Sequence, residues 1–267
     1  RGADRGSRRV SGTGAAERPP GERVPEVIVA LAYPDPEPAL ALVAALPPGT
    51  WYKIGLELFT RAGPPIVERL VGEGRHVFLD LKLHDIPNTV GGATRAAAAL
   101  GVRLLTVHAA GGERMLRAAA DAAAEVAEAG AGEAGRTRLL AITVLTSLDD
   151  AGLSAVMGRG STVEDAAGRL AGLARESGVD GVVSSVAECR AIKIACGADF
   201  LVVTPGIRLA GQSAQDQRRV ATPALARAAG ADYLVVGRAV TGAPDPAVAL
   251  RRVRADVASA TPEGPAA

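Results

Sequence analysis

The sequence predicts an α/β fold, a single closed (β/α)8 TIM barrel, and three observations predict it. Short runs rich in Val, Ile and Leu recur along the chain at strand length, and eight of them can be counted. Ala-rich stretches long enough for a crossover helix separate them, as in GGERMLRAAADAAAEVAEA. The 267 residues suit one such barrel, whose usual size is about 250.

The first run, VIVALA (27–32), leads to Asp35-Pro36, an expected N-cap with Pro at the first helical position. The second is WYKIGL (51–56). Period two places Ala30 and Ala32 on the inward face of strand one, and puts Trp51, Lys53 and Gly55 on one face of strand two. The third run, HVFLDLK (76–82), is unusual because it carries charge: Val77, Leu79, Leu81 and Leu83 share one face, whereas Phe78, Asp80 and Lys82 share the other. A charge on a buried strand costs free energy unless it is paired, so a structural ion pair at a strand end is one reading. The other reading is a functional site, because barrels carry their chemistry where strands run out into the βα loops. Asp80 and Lys82 end strand three, Asp85 begins its loop and Lys53 lies near the end of strand two, a grouping that favours the site. RLLTVH (103–108), LLAITVL (139–145), GVVSS (181–185), FLVVT (200–204) and YLVVG (233–237) complete the set.

The barrel is expected to span residues 25–258. Residues 1–24 hold six Arg, five Gly and almost no large apolar side chains, so a disordered leader is expected there, and a disordered tail over 259–267. Lys plus Arg number 30 against 29 Asp plus Glu, which leaves no global field for nucleic acid or an anionic membrane; any anion must be bound locally. No apolar run approaches the roughly 18 to 20 residues of a membrane span. Cys189 and Cys196 suit two buried thiols better than a disulfide or metal site, and a reducing, cytoplasmic compartment is expected.

Two stretches supply anion donors: TPGIRLAGQSAQDQRRV (204–220) after strand seven, and VVGRAVT after strand eight. These are the loops where barrels commonly bind phosphate. Gly237 lets backbone N–H groups approach an oxyanion, and Arg208 or Arg238 can fork two phosphate oxygens.

With these motifs in place, DLKLHDIPNT, TVLTS, TPGIR with DQRRV, and ADYLVVGRAVT resemble the orotidine 5'-phosphate decarboxylase family in its bacterial form, from about Pro25 to Arg251. The resemblance implies an enzyme without cofactor or metal that decarboxylates orotidine 5'-phosphate to UMP in pyrimidine biosynthesis. It also implies a homodimer in which Asp85 reaches into the partner's active site. It makes Lys82 the proton donor, flanked by Asp80 and the partner's Asp85, with Lys53 completing the charged array. Thr146 is expected to meet the pyrimidine, and Ile86, Asn88 and Thr89 to contact substrate, the last two on the ribose side. Arg208, Gln217, Gly237 and Arg238 are expected to hold the phosphate, with about Leu209 to Arg219 closing as a lid.

The sequence departs from the family at one expected acid. Strand one ends Ala30-Leu31-Ala32 where the family has Ala-Leu-Asp, so impaired catalysis is expected. His84 and His108 are further titratable groups near the predicted site, with no identified role for His84. Two alternatives stand beside the main reading. One is a Mg2+-dependent sugar-phosphate decarboxylase of the same barrel group, which shares Asp-x-Lys-x-x-Asp. The other is a non-catalytic nucleotide-monophosphate binder, against which intact Asp80, Lys82 and Asp85 argue.

Overall fold

The computed structural model describes residues 24–131, 135–158, 160–208 and 221–259. Eight parallel strands close in sequence order into a barrel: β1 Glu26–Leu31, β2 Trp51–Gly55, β3 His76–Leu83, β4 Leu104–His108, β5 Arg138–Ile142, β6 Gly181–Val183, β7 Leu201–Thr204 and β8 Tyr233–Val236. Closure is made by β1 on β8, with Glu26 in register with Tyr233 and Val29 with Val236. The helices are α1 Pro36–Ala45, α2 Leu56–Ala62, α3 Pro64–Gly72, α4 Pro87–Ala99, α5 Glu113–Val126, α6 Asp150–Met157, α7 Val163–Glu176, α8 Val186–Cys196, α9 Pro223–Ala228, α10 Arg238–Thr241 and α11 Pro246–Ser259. Among the described residues no helix is long and apolar enough to cross a membrane. The predicted leader, tail and lid fall largely outside the described residues, as does Gln217.

Strand alternation divides the interior into two packed regions. Ile28, Ala30, Trp51, Phe78, Leu104, Leu140, Leu201, Val203, Tyr233 and Val235 point inward and fill the barrel. Their sequence neighbours, such as Val29, Tyr52, Leu79, Leu105 and Val202, point outward and join Leu42, Leu70, Leu116 and Leu250 from the helices in the larger core. Burial of this kind stabilises by about 25 cal/mol per Å² of apolar surface removed from water.

Several strands end earlier than the apolar runs suggest, for local reasons. The LLAITVL run leaves the sheet at Ile142, and GVVSS leaves it at Val183. Ser185 instead becomes the N-cap of α8, where it and Glu188 form a capping box that satisfies helix-terminal donors. Asp35 does sit at the N-cap of α1, but its carboxylate makes no cap hydrogen bond. It pairs with Arg61 at 3.3 Å, both groups well exposed. Both cysteines are buried and free, and burial pushes the Cys189 thiol up to about 12 despite the nearby Lys193.

Candidate functional site

Inward residues of β1, β2, β3, β5, β6 and β8 open onto a pocket of about 330 Å³ at the C-terminal face of the barrel. That volume lies within the range of small-molecule sites. Ala32, Lys53, Asp80, Lys82, Thr146, Arg208, Gly237 and Arg238 all line it. Phe78, Ile142, Val144, Val183 and Val235 supply apolar wall. Three predicted groupings therefore converge: the charged ends of β2 and β3, the segment after β5, and the loops after β7 and β8. Because the barrel has eight strands in sequence order, the end of β7 stands across the mouth from the end of β3.

Asp80 is the centre of the charged cluster. Its Oδ2 lies 3.0 Å from Lys53 Nζ, and its Oδ1 lies 2.8 Å from Lys82 Nζ. The Thr106 hydroxyl donates to the same Oδ1 at 3.1 Å. Burial alone would raise the Asp80 carboxyl, but Lys53 and Lys82 outweigh it and hold the group below its ordinary value, so it is ionised. Gly55, paired in register with Asp80, leaves room for this array: a Cβ there would lie 3.2 Å from Lys53 Nζ.

The end of β3 is not a regular strand. Leu79 pairs with Leu105 and Leu83 with Val107, so β3 takes four residues over a distance that β4 covers in two. Within this bulge Lys82 has φ of 51°, the left-handed region that non-glycine residues rarely occupy. Bulges re-aim side chains beside active sites, and here Asp80 and Lys82 both meet the cavity.

Asp85, Ile86, Asn88 and Thr89 are not part of the pocket of their own chain. They are exposed around the start of α4, with Ile86 at 66% exposure, and Asp85 accepts a hydrogen bond from the Ile86 N–H at 2.6 Å. Ala32 is exposed at the pocket edge, its N–H turned back to the Ala30 carbonyl at 3.0 Å. His84 and His108 stack with ring centroids 5.0 Å apart. Burial, His84 and Lys82 all push the His108 imidazole down, so it stays neutral at physiological pH. Among the described residues, no group of three His, Cys, Asp or Glu side chains is placed to hold a metal ion.

Thr106 and the apolar walls go beyond the residues that the sequence singles out. The walls follow from strand parity, since Ile142, Val183 and Val235 all occupy inward positions. Thr106 carries a signal too, as an inward polar residue in the apolar run RLLTVH.

Comparison with known proteins bears on this site. The family model described as orotidine 5'-phosphate decarboxylase / HUMPS family matches residues 25–253. An orotidine 5'-phosphate decarboxylase of Halorhodospira halophila is 55% identical over 237 residues, covering 88% of this chain and 97% of that protein. One from Moorella thermoacetica is 52% identical over 233 residues, covering 87% and 92%. Among solved structures, orotidine 5'-phosphate decarboxylase from Lactobacillus acidophilus superposes with a TM-score of 0.78 at 36% identity, covering 87% of this chain and 99% of that one.

Proposed function

The chain belongs to the orotidine 5'-phosphate decarboxylase / HUMPS family, and on that premise we propose how its residues divide the work. The protein is a carbon–carbon lyase that converts orotidine 5'-phosphate to UMP and CO2 in pyrimidine biosynthesis. The observation that carries the assignment of roles is the Lys53–Asp80–Lys82 cluster at one side of the pocket, which Arg208 after β7 and Arg238 at the start of α10 also line.

Arg208, Arg238 and the backbone at Gly237 hold the phosphate, and Thr146 meets the pyrimidine. This leaves the substrate carboxylate against Asp80, an ionised group. The two like charges repel until CO2 departs, although how much such destabilisation contributes is contested in general. When the C6–carboxyl bond breaks, CO2 leaves neutral and the electron pair stays on C6. No adjacent group delocalises that pair, so fixed positive charge must stabilise it, and the Lys82 ammonium supplies it. A proton then passes from Lys82 Nζ to C6, giving UMP, and solvent reprotonates the amine. Phosphate contacts remote from C6 contribute through positioning, as binding energy expressed in the transition state.

Both Asp80 oxygens are already bonded to ammonium groups, which supports a reaction run by lysine charge rather than by a carboxylate-held cation. The exposed turn at Asp85 and Ile86 supports a homodimer in which Asp85 enters the partner's site, with Asn88 and Thr89 on the ribose side. The enzyme acts in the cytoplasm. Spectrophotometric turnover of orotidine 5'-phosphate is expected to persist in EDTA, and loss of turnover there would favour the Mg2+-dependent alternative. Tight UMP binding without any turnover would favour a non-catalytic binder. Mixing inactive Lys82→Ala and Asp85→Ala subunits should restore about a quarter of wild-type activity, because half of randomly formed dimers carry one intact site. No recovery after verified subunit exchange would overturn the shared site.

A further inference from the structure

We propose that Thr106 is a positioning residue for the decarboxylation, its hydroxyl holding Lys82 and Asp80 in the arrangement that aims the ammonium into the cavity. Thr106 sits in the middle of β4, completely buried, and does not itself line the pocket. Its role follows from the β3 bulge. Where β3 and β4 lose register, the Lys82 N–H leaves the regular ladder, and a buried N–H without an acceptor is strongly disfavoured. Thr106 Oγ1 accepts that N–H at 2.8 Å. A hydroxyl can accept and donate at once, and this one donates its own proton to Asp80 Oδ1 at 3.1 Å.

Lys82 Nζ donates to the same carboxylate oxygen at 2.8 Å. The result is a closed ring: Lys82 backbone to Thr106 hydroxyl, Thr106 to Asp80, and Asp80 back to the Lys82 ammonium. Lys82 is thereby fixed at its backbone and at its tip. A left-handed non-glycine residue persists only where its surroundings over-determine it, and at Lys82, with φ of 51°, the Thr106 hydroxyl is one of the groups that does so. Valine, equal in volume, can neither accept from Lys82 nor donate to Asp80.

This inference rests on the reading of Lys82 as proton donor, and the test separates the two. Thr106→Val, Thr106→Ser and Lys82→Ala proteins are compared with wild type for kcat and KM on orotidine 5'-phosphate and for Kd of UMP. In folded Thr106→Val, kcat is expected to fall about 10- to 150-fold, the scale of one hydrogen bond to a charged group, with KM and UMP Kd within about threefold. Thr106→Ser, which keeps the hydroxyl, is expected to recover kcat to within about threefold of wild type. A Thr106→Val kcat within about threefold of wild type overturns the proposal. So does a parallel loss of kcat and UMP binding, or a Ser variant as slow as the Val variant. If Thr106→Val does not fold, Thr106→Cys takes its place, similar in volume with only a weak donor and acceptor. The same fall in kcat is then expected, and a kcat within about threefold of wild type overturns the proposal there too. Lys82→Ala with wild-type kcat would instead sink the proton-donor reading itself. An inactive Lys82→Ala beside an unimpaired Thr106→Val would sink the Thr106 role alone.

Discussion

The two ends of the barrel each set a lysine against an aspartate, with opposite degrees of satisfaction. At the N-terminal end, Lys193 Nζ donates to Asp232 Oδ2 at 2.7 Å, to the Phe200 carbonyl at 2.8 Å and to the Ala198 carbonyl at 2.9 Å. These three bonds use all three ammonium protons, and Asp232 Oδ2 also accepts from the Val202 N–H at 2.7 Å. Lys193 is 4% exposed and does not line the pocket at the C-terminal face. At the C-terminal end, Lys82 donates to Asp80 and its side chain is 31% exposed, facing the pocket. An ion pair whose donors are all met inside the protein ties elements together. One whose ammonium faces a cavity has charge left for a substrate.

Nearby groups reinforce the contrast. Asp232 and Lys193 join α8 to the starts of β7 and β8, so their loss frees backbone as well as charge. Asp80 and Lys82 occupy a bulge with a left-handed backbone, a local departure from regular structure of the kind that folds tolerate where function requires it.

Substitutions at the two ends should separate catalysis from stability, and Lys82→Ala should have the largest effect. It is expected to remove nearly all of kcat while UMP still binds and the thermal midpoint changes little, since Lys82 acts on charge that exists mainly in the transition state. Retention of a tenth of wild-type kcat would break the contrast by making Lys82 dispensable.

Next in size is Lys193→Met. It leaves the largely covered Asp232 without its cation, and breaking a buried pair from one side costs about 3–5 kcal/mol. Urea unfolding should show that loss, with kcat per folded molecule within about twofold of wild type. A stable Lys193→Met protein, or one with kcat lost in the folded state, would remove the distinction between the two ends.

Ala32→Asp should have the smallest effect and would sharpen the comparison by adding an acid to the catalytic end. Ala30 is in register with Lys53 on β2, and Ala32 lies at the pocket edge with its side chain exposed, so a carboxylate there meets positive charge at little burial cost. A charged hydrogen bond corresponds to about a 10- to 150-fold rise in kcat/KM, and a ligand lacking the contacted ribose hydroxyl should gain little. Unchanged kcat/KM in a folded variant would mean that another residue already fills this place.

Much of this molecule is legible in one dimension because strand parity is a local property. Ala30, Trp51, Lys53, Phe78 and Asp80 point inward simply because residues two apart share a face, and the eight apolar runs in strict alternation with helical segments admit a barrel. Their order along the chain also sets which loops share the mouth, so Lys53, Asp80, Lys82, Arg208 and Arg238 can be grouped from the sequence alone, and all five line the cavity, as does Thr146, which the family resemblance supplied.

What only the tertiary structure decided depends on pairing between distant segments. The bulge in β3 exists relative to β4, and the hydrogen bond from Lys82 to Thr106 spans 24 residues. Nothing within HVFLDLK announces a left-handed backbone at Lys82, because that conformation is set by the neighbouring strand's register. The Asp35 carboxylate likewise follows the position of Arg61, 3.3 Å away on the next helix, over the local cap its sequence suggests. Periodicity fixes which way a side chain points, and register between strands far apart in sequence fixes what it meets.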